Sequence, residues 1–189
     1  FDKLASTYTE LVQLLPNVLG KNLPTSLKKL GKFNLAGDVE LTKKYIKTDF
    51  VLNTQLGQVL SSLEMTNIDF IDNASYSGKV ALNNFDLGKF INDNKLGKIT
   101  VDAVINGKGF IEKYLDTEFE GTIKKVYYNN YYYQNILCEG NFKKPIFNGK
   151  VSVNDPNLFL DFEGKVDLSK IENSYDFNAV VDYANLYNL

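Results

Sequence analysis

Residues 158–168 read LFLDFEGKVDL. Leu158, Leu160, Phe162, Gly164, Val166 and Leu168 share one phase of a two-residue period, and Asp161, Glu163, Lys165 and Asp167 share the other. Successive side chains on an extended strand point to opposite faces, so this is an antiparallel strand with one apolar and one wet side. The same alternation runs through Phe147, Gly149, Val151 and Val153, through Tyr76, Gly78, Val80 and Leu82, through Ile99, Val101, Ala103 and Ile105, and through Phe177, Ala179, Val181 and Tyr183. Residues 51–71 are apolar enough for strands, but their phase is ambiguous. The expected fold is mainly β, a long antiparallel sheet with one continuous apolar face.

Turn residues divide the strands. Asp155-Pro156 separates two of them. Asn129-Asn130 suits a two-residue hairpin because Asn tolerates positive φ. Closing the chain there sets Tyr128 against Tyr131, Tyr127 against Tyr132, Ile123 against Ile136, Gly121 against Cys138 and Phe119 against Gly140. Phe119, Ile123, Ile136, Cys138 and Phe142 then share one face. On that register Lys125 and Gln134 join the apolar face, which reads as a rim opening to water.

A glycine recurs inside the strands, at Gly37, Gly78, Gly121, Gly140, Gly149 and Gly164. Glycine weakens a strand, so its place on the apolar side needs a reason. Room for a cross-strand aromatic ring, or a bulge that coils the sheet, is one; close approach of a ligand is the other. The spacings are too irregular for a strict solenoid.

Residues 1–31 read as a helical segment preceding a β unit at 32–189. Phe1, Leu4, Tyr8, Leu11, Leu15 and Val18 recur at helical steps, with Gly20 as a stop. A second short helix follows Pro24, carrying Leu27 and Leu30. One helical insert, 84–91, has Asp86 as its cap and Leu87, Phe90 and Ile91 as docking residues.

Composition excludes several function classes. The 189 residues carry 21 Lys and no Arg against 23 Asp and Glu, a net charge of −2. A nucleic-acid binder would carry an Arg-rich basic stripe, so no nucleic-acid partner is expected. His is absent and Cys occurs once, which removes the usual general base, the commonest metal ligand and any disulfide framework. No catalytic residues, no metal and no cofactor are expected, and the chain does not read as an enzyme. Cys138 reads as a small apolar residue rather than a nucleophile. Asp161, Glu163 and Asp167 read as a solvated acidic row. No apolar run reaches the length of a membrane span, and a start at Phe1 reads as a segment of a longer protein.

A family resemblance adds to this. An amphipathic helix precedes LNTQLGQV at 52–59, YSGKVALNNFDLGKFI at 76–91 and LGKITVDAVINGKGF at 96–110, and strands of the FxGxV type close the chain. This order resembles the TamB branch of the AsmA-like proteins of Gram-negative envelopes, in the divergent form found outside the proteobacteria, over most of the chain. The resemblance implies a U-shaped β-taco whose concave apolar groove carries phospholipid acyl chains between the two membranes. It also implies a periplasmic place, an inner-membrane anchor outside this chain, and an outer-membrane assembly partner of the Omp85 type.

The groove lining expected is Val80, Leu82, Val101, Ile105, Phe119, Ile123, Val151, Val153, Phe162, Val166 and Val181. Alternation looks the same when a second sheet covers the face. Strand length favours the groove, since about twelve residues span roughly 40 Å, about twice a typical sandwich strand. The alternative is a β-sandwich binding module that holds a glycan or a protein through the Tyr127–Tyr133 hairpin, with Tyr128, Tyr131 and Tyr133 as contacts, or a structural scaffold of the envelope.

Overall fold

The computed structural model describes residues 4–7, 9, 25–111, 113–143, 145–167 and 173–189. They form a single antiparallel sheet in which every strand pairs with its sequence neighbours. A three-residue strand, β1 (Leu4–Ser6), is followed by ten long ones. These are β2 (Phe33–Leu41), β3 (Tyr45–Thr54), β4 (Gly57–Thr66), β5 (Ser75–Asp86), β6 (Leu96–Lys108), β7 (Asp116–Tyr128), β8 (Tyr131–Lys143), β9 (Ile146–Asp155), β10 (Leu158–Asp167) and β11 (Ser174–Ala184). No pairing joins β11 back to β1, so the sheet is open.

The sandwich alternative is corrected here: among the described residues there is one layer, and no second sheet covers the apolar face. The expected helix through Leu4 is also corrected. Leu4 pairs with Leu35 and Ser6 with Phe33, because extending β2's ladder satisfies backbone groups that an edge would leave open. The rest of that expected helix lies outside the described residues. Thr25–Leu30 forms a 3₁₀ turn. Residues 51–71 divide into the end of β3, all of β4 and part of a second 3₁₀ segment, Ile68–Asn73.

The Asn129-Asn130 turn closes the hairpin in the expected register, with Tyr128 opposite Tyr131, Ile123 opposite Ile136, Gly121 opposite Cys138 and Phe119 opposite Gly140. Both asparagines have positive φ, 47° and 71°, as a primed hairpin turn requires. Among the described residues every non-glycine with positive φ is an asparagine: Asn67, Asn84, Asn92, Asn129, Asn130 and Asn135. Asn is among the few L-residues that enter the left-handed region cheaply, since its short amide bonds back to the chain.

One of these asparagines marks a place where the two-residue phase slips. The register shifts between Leu82 and Phe85 beside Asn84, and again between Thr100 and Val101, where β6 meets β7. One extra residue moves the next side chain to the other face. Phe85 therefore falls opposite Ile99, and Ile99 opposite Val126, and all three are buried. The shift corrects the reading of Lys125: Val126 takes the inward place, and Lys125 Nζ lies 4.3 Å from the ring centroid of Tyr132. No lysine rim forms there.

Caps sit at both ends of the strands. At one end Leu30, Phe33, Leu56 and Phe85 make a buried cluster, with Leu27, Leu52, Val59, Leu82, Leu87 and Phe90 packed on it. Its lid is helix α1 (Leu87–Ile91), started by Asp86, whose carboxylate accepts from the Lys89 N–H at 3.0 Å. Lys29 Nζ donates to the Phe90 carbonyl at 2.6 Å, tying the first 3₁₀ turn to α1. Ile91, expected to dock, is exposed. At the other end Ile68, Ala74 and Tyr76 are buried, and the Tyr76 and Phe110 rings meet at 5.1 Å.

Candidate functional site

Ladder register brings all eleven expected lining residues onto one face. Leu82, Val101, Ile123, Ile136, Val153, Leu160 and Val181 follow one another across β5 to β11. The next row is Val80, Ala103, Gly121, Cys138, Val151, Phe162 and Ala179. The third runs through Ile105, Phe119, Gly140, Gly149, Gly164 and Phe177, and Val166 lies between Phe147 and Tyr175. Of the eleven, Val153 is buried, Val181 is exposed, and the others are half-buried.

The third row contains a stripe of bare backbone, Gly140, Gly149 and Gly164, on three adjacent strands. A Cβ on Gly140 would lie 2.5 Å from the Asn148 carbonyl oxygen and 3.0 Å from the Phe147 ring. The stripe lets aromatic rings lie across the sheet. Phe119 and Phe147 meet at 6.0 Å, Phe147 and Phe162 at 6.2 Å, and Phe162 and Phe177 at 5.1 Å between centroids. These contacts add to area burial and cover the glycines, which answers why glycine recurs on this side.

The opposite face is charged. Lys124 and Asp102 meet at 2.5 Å, Lys143 and Asp116 at 2.8 Å, and Lys150 and Glu163 at 3.5 Å, each pair across neighbouring strands. Exposed pairs of this kind add little stability, and they keep this side wet. The Asp116 carboxyl is held below its usual range, first by the hydrogen bond from Lys143 and then by that from Asn141. A concavity of about 830 Å³ lies on this side: fourteen of its twenty lining residues point to the charged face, and of the eleven expected residues only Val80 borders it. Its lining mixes Val51, Leu60, Ala81, Val104 and Leu137 with Asp49, Lys79, Asp102, Glu120, Glu139 and Lys150, and an acyl chain laid there would desolvate those charges. The apolar site is the other face.

Cys138 sits midway along that apolar face, between Gly121 and Val151. Burial pushes its thiol pKa up, so it stays protonated at neutral pH. Among the described residues no group of three or more His, Cys, Asp or Glu could hold a metal ion. The acidic row of β10 is corrected at one position: Asp161 and Glu163 are exposed, but Asp167 is buried.

The tyrosine hairpin is internally occupied. Tyr131 and Tyr133 pack edge to face at 4.8 Å, and Tyr127 and Tyr132 do so at 4.9 Å. The residue that sequence reading missed is Asp155. It is fully buried and accepts from the Tyr131 hydroxyl at 2.7 Å, the Gln134 N–H at 2.9 Å and the Asn157 N–H at 2.9 Å. The Asp-Pro-Asn turn was its only signal. Tyr128 remains exposed at the tip.

No helix among the described residues is long and apolar enough to cross a membrane. Comparison with protein-family models, with curated proteins and with solved structures finds no match.

Proposed function

We propose that this chain is a segment of a TamB-like periplasmic lipid bridge, in which the apolar face shields phospholipid acyl chains on their way between inner and outer membrane. The observation that carries the reading is a continuous apolar face: eleven apolar side chains from six strands lie on one side of a single open sheet, and among the described residues no second sheet packs on it. The backbone groups of the interior strands are spent in the ladder, so what this face offers a ligand is apolar area. Such a surface favours hydrocarbon at about 25 cal/mol per Å² of area removed from water.

The mechanism is passive, with no bond made or broken. Caps close both strand ends over β2 to β6, and the open stretch lies over β7 to β11, where the ring ladder crosses the strands. Acyl chains lie along that stretch of the apolar face, and headgroups stay at its margins. A lining of similar apolar groups lets a lipid slide without a deep trap. An Omp85-type assembly protein at the outer membrane and an inner-membrane anchor outside this chain belong to the same proposal.

The test is native mass spectrometry of chain purified without detergent, with organic extraction of what is bound. Phospholipid in stoichiometric amount is the expected result. Phe162→Asp and Val166→Asp then lose it, and Lys165→Asp, on the opposite face, keeps it. A lipid-free chain that takes up none from vesicles, or a Phe162→Asp chain that binds lipid normally, overturns the proposal.

A further inference from the structure

The charged side of the sheet holds the concavity of about 830 Å³, on the far side from the acyl-chain face. It lies over β3 to β9, and every strand beneath it is paired on both sides. Its floor is amphipathic. Val51, Leu60 and Ala81 stand side by side on β3, β4 and β5, and Val104 on β6 is one diagonal step from Ala81. Leu60 and Val104 are exposed, as is Leu137 on β8. Contiguous apolar surface rimmed by a few polar groups is the usual make-up of a ligand groove.

We propose that this concavity binds a small amphipathic cation, a protonated amine on an unbranched apolar tail. Charge complementarity selects that occupant. The lining carries four carboxylates, Asp49, Asp102, Glu120 and Glu139, against Lys79 and Lys150. Asp102 is paired with Lys124, and Lys150 turns to Glu163 at 3.5 Å although Glu139 stands directly opposite it. Glu120 and Glu139 face each other across the β7–β8 ladder, and among the described residues neither has an ion-pair partner. Like charges set opposite one another destabilise a strand pair, so a cation between these two relieves a repulsion as well as gaining an attraction.

Register then places the tail. Val104 is the ladder partner of Glu120 on the side away from Glu139. From Glu120 on β7 to Leu60 on β4 is three strand spacings, roughly 14 Å, the reach of an extended decyl chain. An amine held between the two glutamates thus lays its tail over Val104, Ala81 and Leu60. A fatty-acid carboxylate meets the same two glutamates with the wrong sign.

The experiment titrates the full chain with decylammonium chloride and, separately, with sodium decanoate, both below micelle formation, by isothermal titration calorimetry. Methyl NMR locates each probe. Decylammonium binds and shifts the methyls of Leu60, Val104 and Leu137, and decanoate binds at least about tenfold more weakly. Glu120→Gln/Glu139→Gln, at two exposed positions, removes that preference. Phe162→Asp, on the acyl-chain face, leaves decylammonium binding unchanged. Equal binding of the two probes, no binding of decylammonium, or a preference that survives in the double glutamine variant overturns the inference. Shifts confined to Val153 and Val166 overturn it in favour of the acyl-chain face. Phospholipid bound by a chain that ignores decylammonium overturns it too, and leaves the lipid-bridge proposal standing.

Discussion

Tyr131 donates its hydroxyl to Oδ1 of Asp155 over 2.7 Å and so fastens the β7–β8 hairpin tip to the β9–β10 turn. The same hydroxyl accepts from Asn157 Nδ2 at 2.8 Å. Removing the carboxylate strands three donors at once, and each buried donor left without an acceptor costs about 1–3 kcal/mol. Asp155→Ala therefore destabilises by about 3 kcal/mol in urea unfolding, and Tyr131→Phe by about 1 kcal/mol. A change within about 0.5 kcal/mol for Asp155→Ala would falsify the anchoring role.

The same contact makes stability depend on pH at the alkaline end. The Tyr131 pKa is raised above 10.0, chiefly because its hydroxyl donates to Asp155. A raised folded-state pKa means that the stabilisation is complete below the unfolded value and lost as pH rises through the folded value. Unfolding midpoints thus fall above about pH 10, and Tyr131→Phe flattens that part of the profile.

Asp116 supplies the acidic counterpart. Its pKa is depressed below 3.8 by Lys143 and Asn141, so its contribution is present at neutral pH and fades as pH falls through the depressed value. The carboxyl is only partly buried, and the effect is small and screened by salt. Asp116→Asn removes that segment of the acid profile, measured at low ionic strength; an unchanged profile rejects the assignment.

Gly164 has no room for a side chain. Its φ is +152°, and a Cβ would lie 2.4 Å from both the Asp176 carbonyl oxygen and the Phe177 Cα. Gly164→Ala costs about 1–3 kcal/mol, through strain that the neighbouring backbone cannot relieve cheaply. Thermal melts of this variant check it, with Lys165→Ala as the control that stays near wild type.

Burial separates two phenylalanines that look alike in the sequence. Phe85 is enclosed in the cap cluster, so Phe85→Ala leaves a cavity and costs about 3–5 kcal/mol. Phe177 lies on the open edge, and Phe177→Ala costs less than about 1 kcal/mol in the free chain. Equal costs would mean that β11 is covered in solution.

Cys138 reports on the apolar face directly. With its pKa raised by burial, it alkylates with iodoacetamide more slowly at neutral pH than a free thiol. Phospholipid vesicles slow it further if acyl chains occupy the face. A rate indifferent to lipid counts against the proposed function.

Much of the strand plan was legible because its signals are local. Alternation placed the eleven lining residues in one phase, and Asn129-Asn130 set the hairpin register from Tyr128–Tyr131 down to Phe119–Gly140. Asp86 as the cap of a short helix was likewise written in its neighbours. Lys125 was misread because a face assignment carried along a strand fails wherever the pairing gains a residue, and the partner strand decides that. Asp167 keeps its register opposite Ile146 and Ser174 and is nevertheless buried. Leu4 was misread because three residues of apolar spacing fit a helix as well as a short edge strand.

The sequence by itself determined the antiparallel meander, the apolar and charged sides, and the asparagine turns, because each depends on residues within a few positions of one another. Only the tertiary structure decided that the described strands form a single open sheet, that bulges bring Phe85, Ile99 and Val126 into line, that the glycine stripe is roofed by four phenylalanine rings, and that Asp155 is a buried anchor. Those features are set by groups far apart in the chain. Whether a face is covered, and which phase a strand holds after a bulge, depends on the neighbour that packs or pairs there, and a two-residue period carries no record of that neighbour.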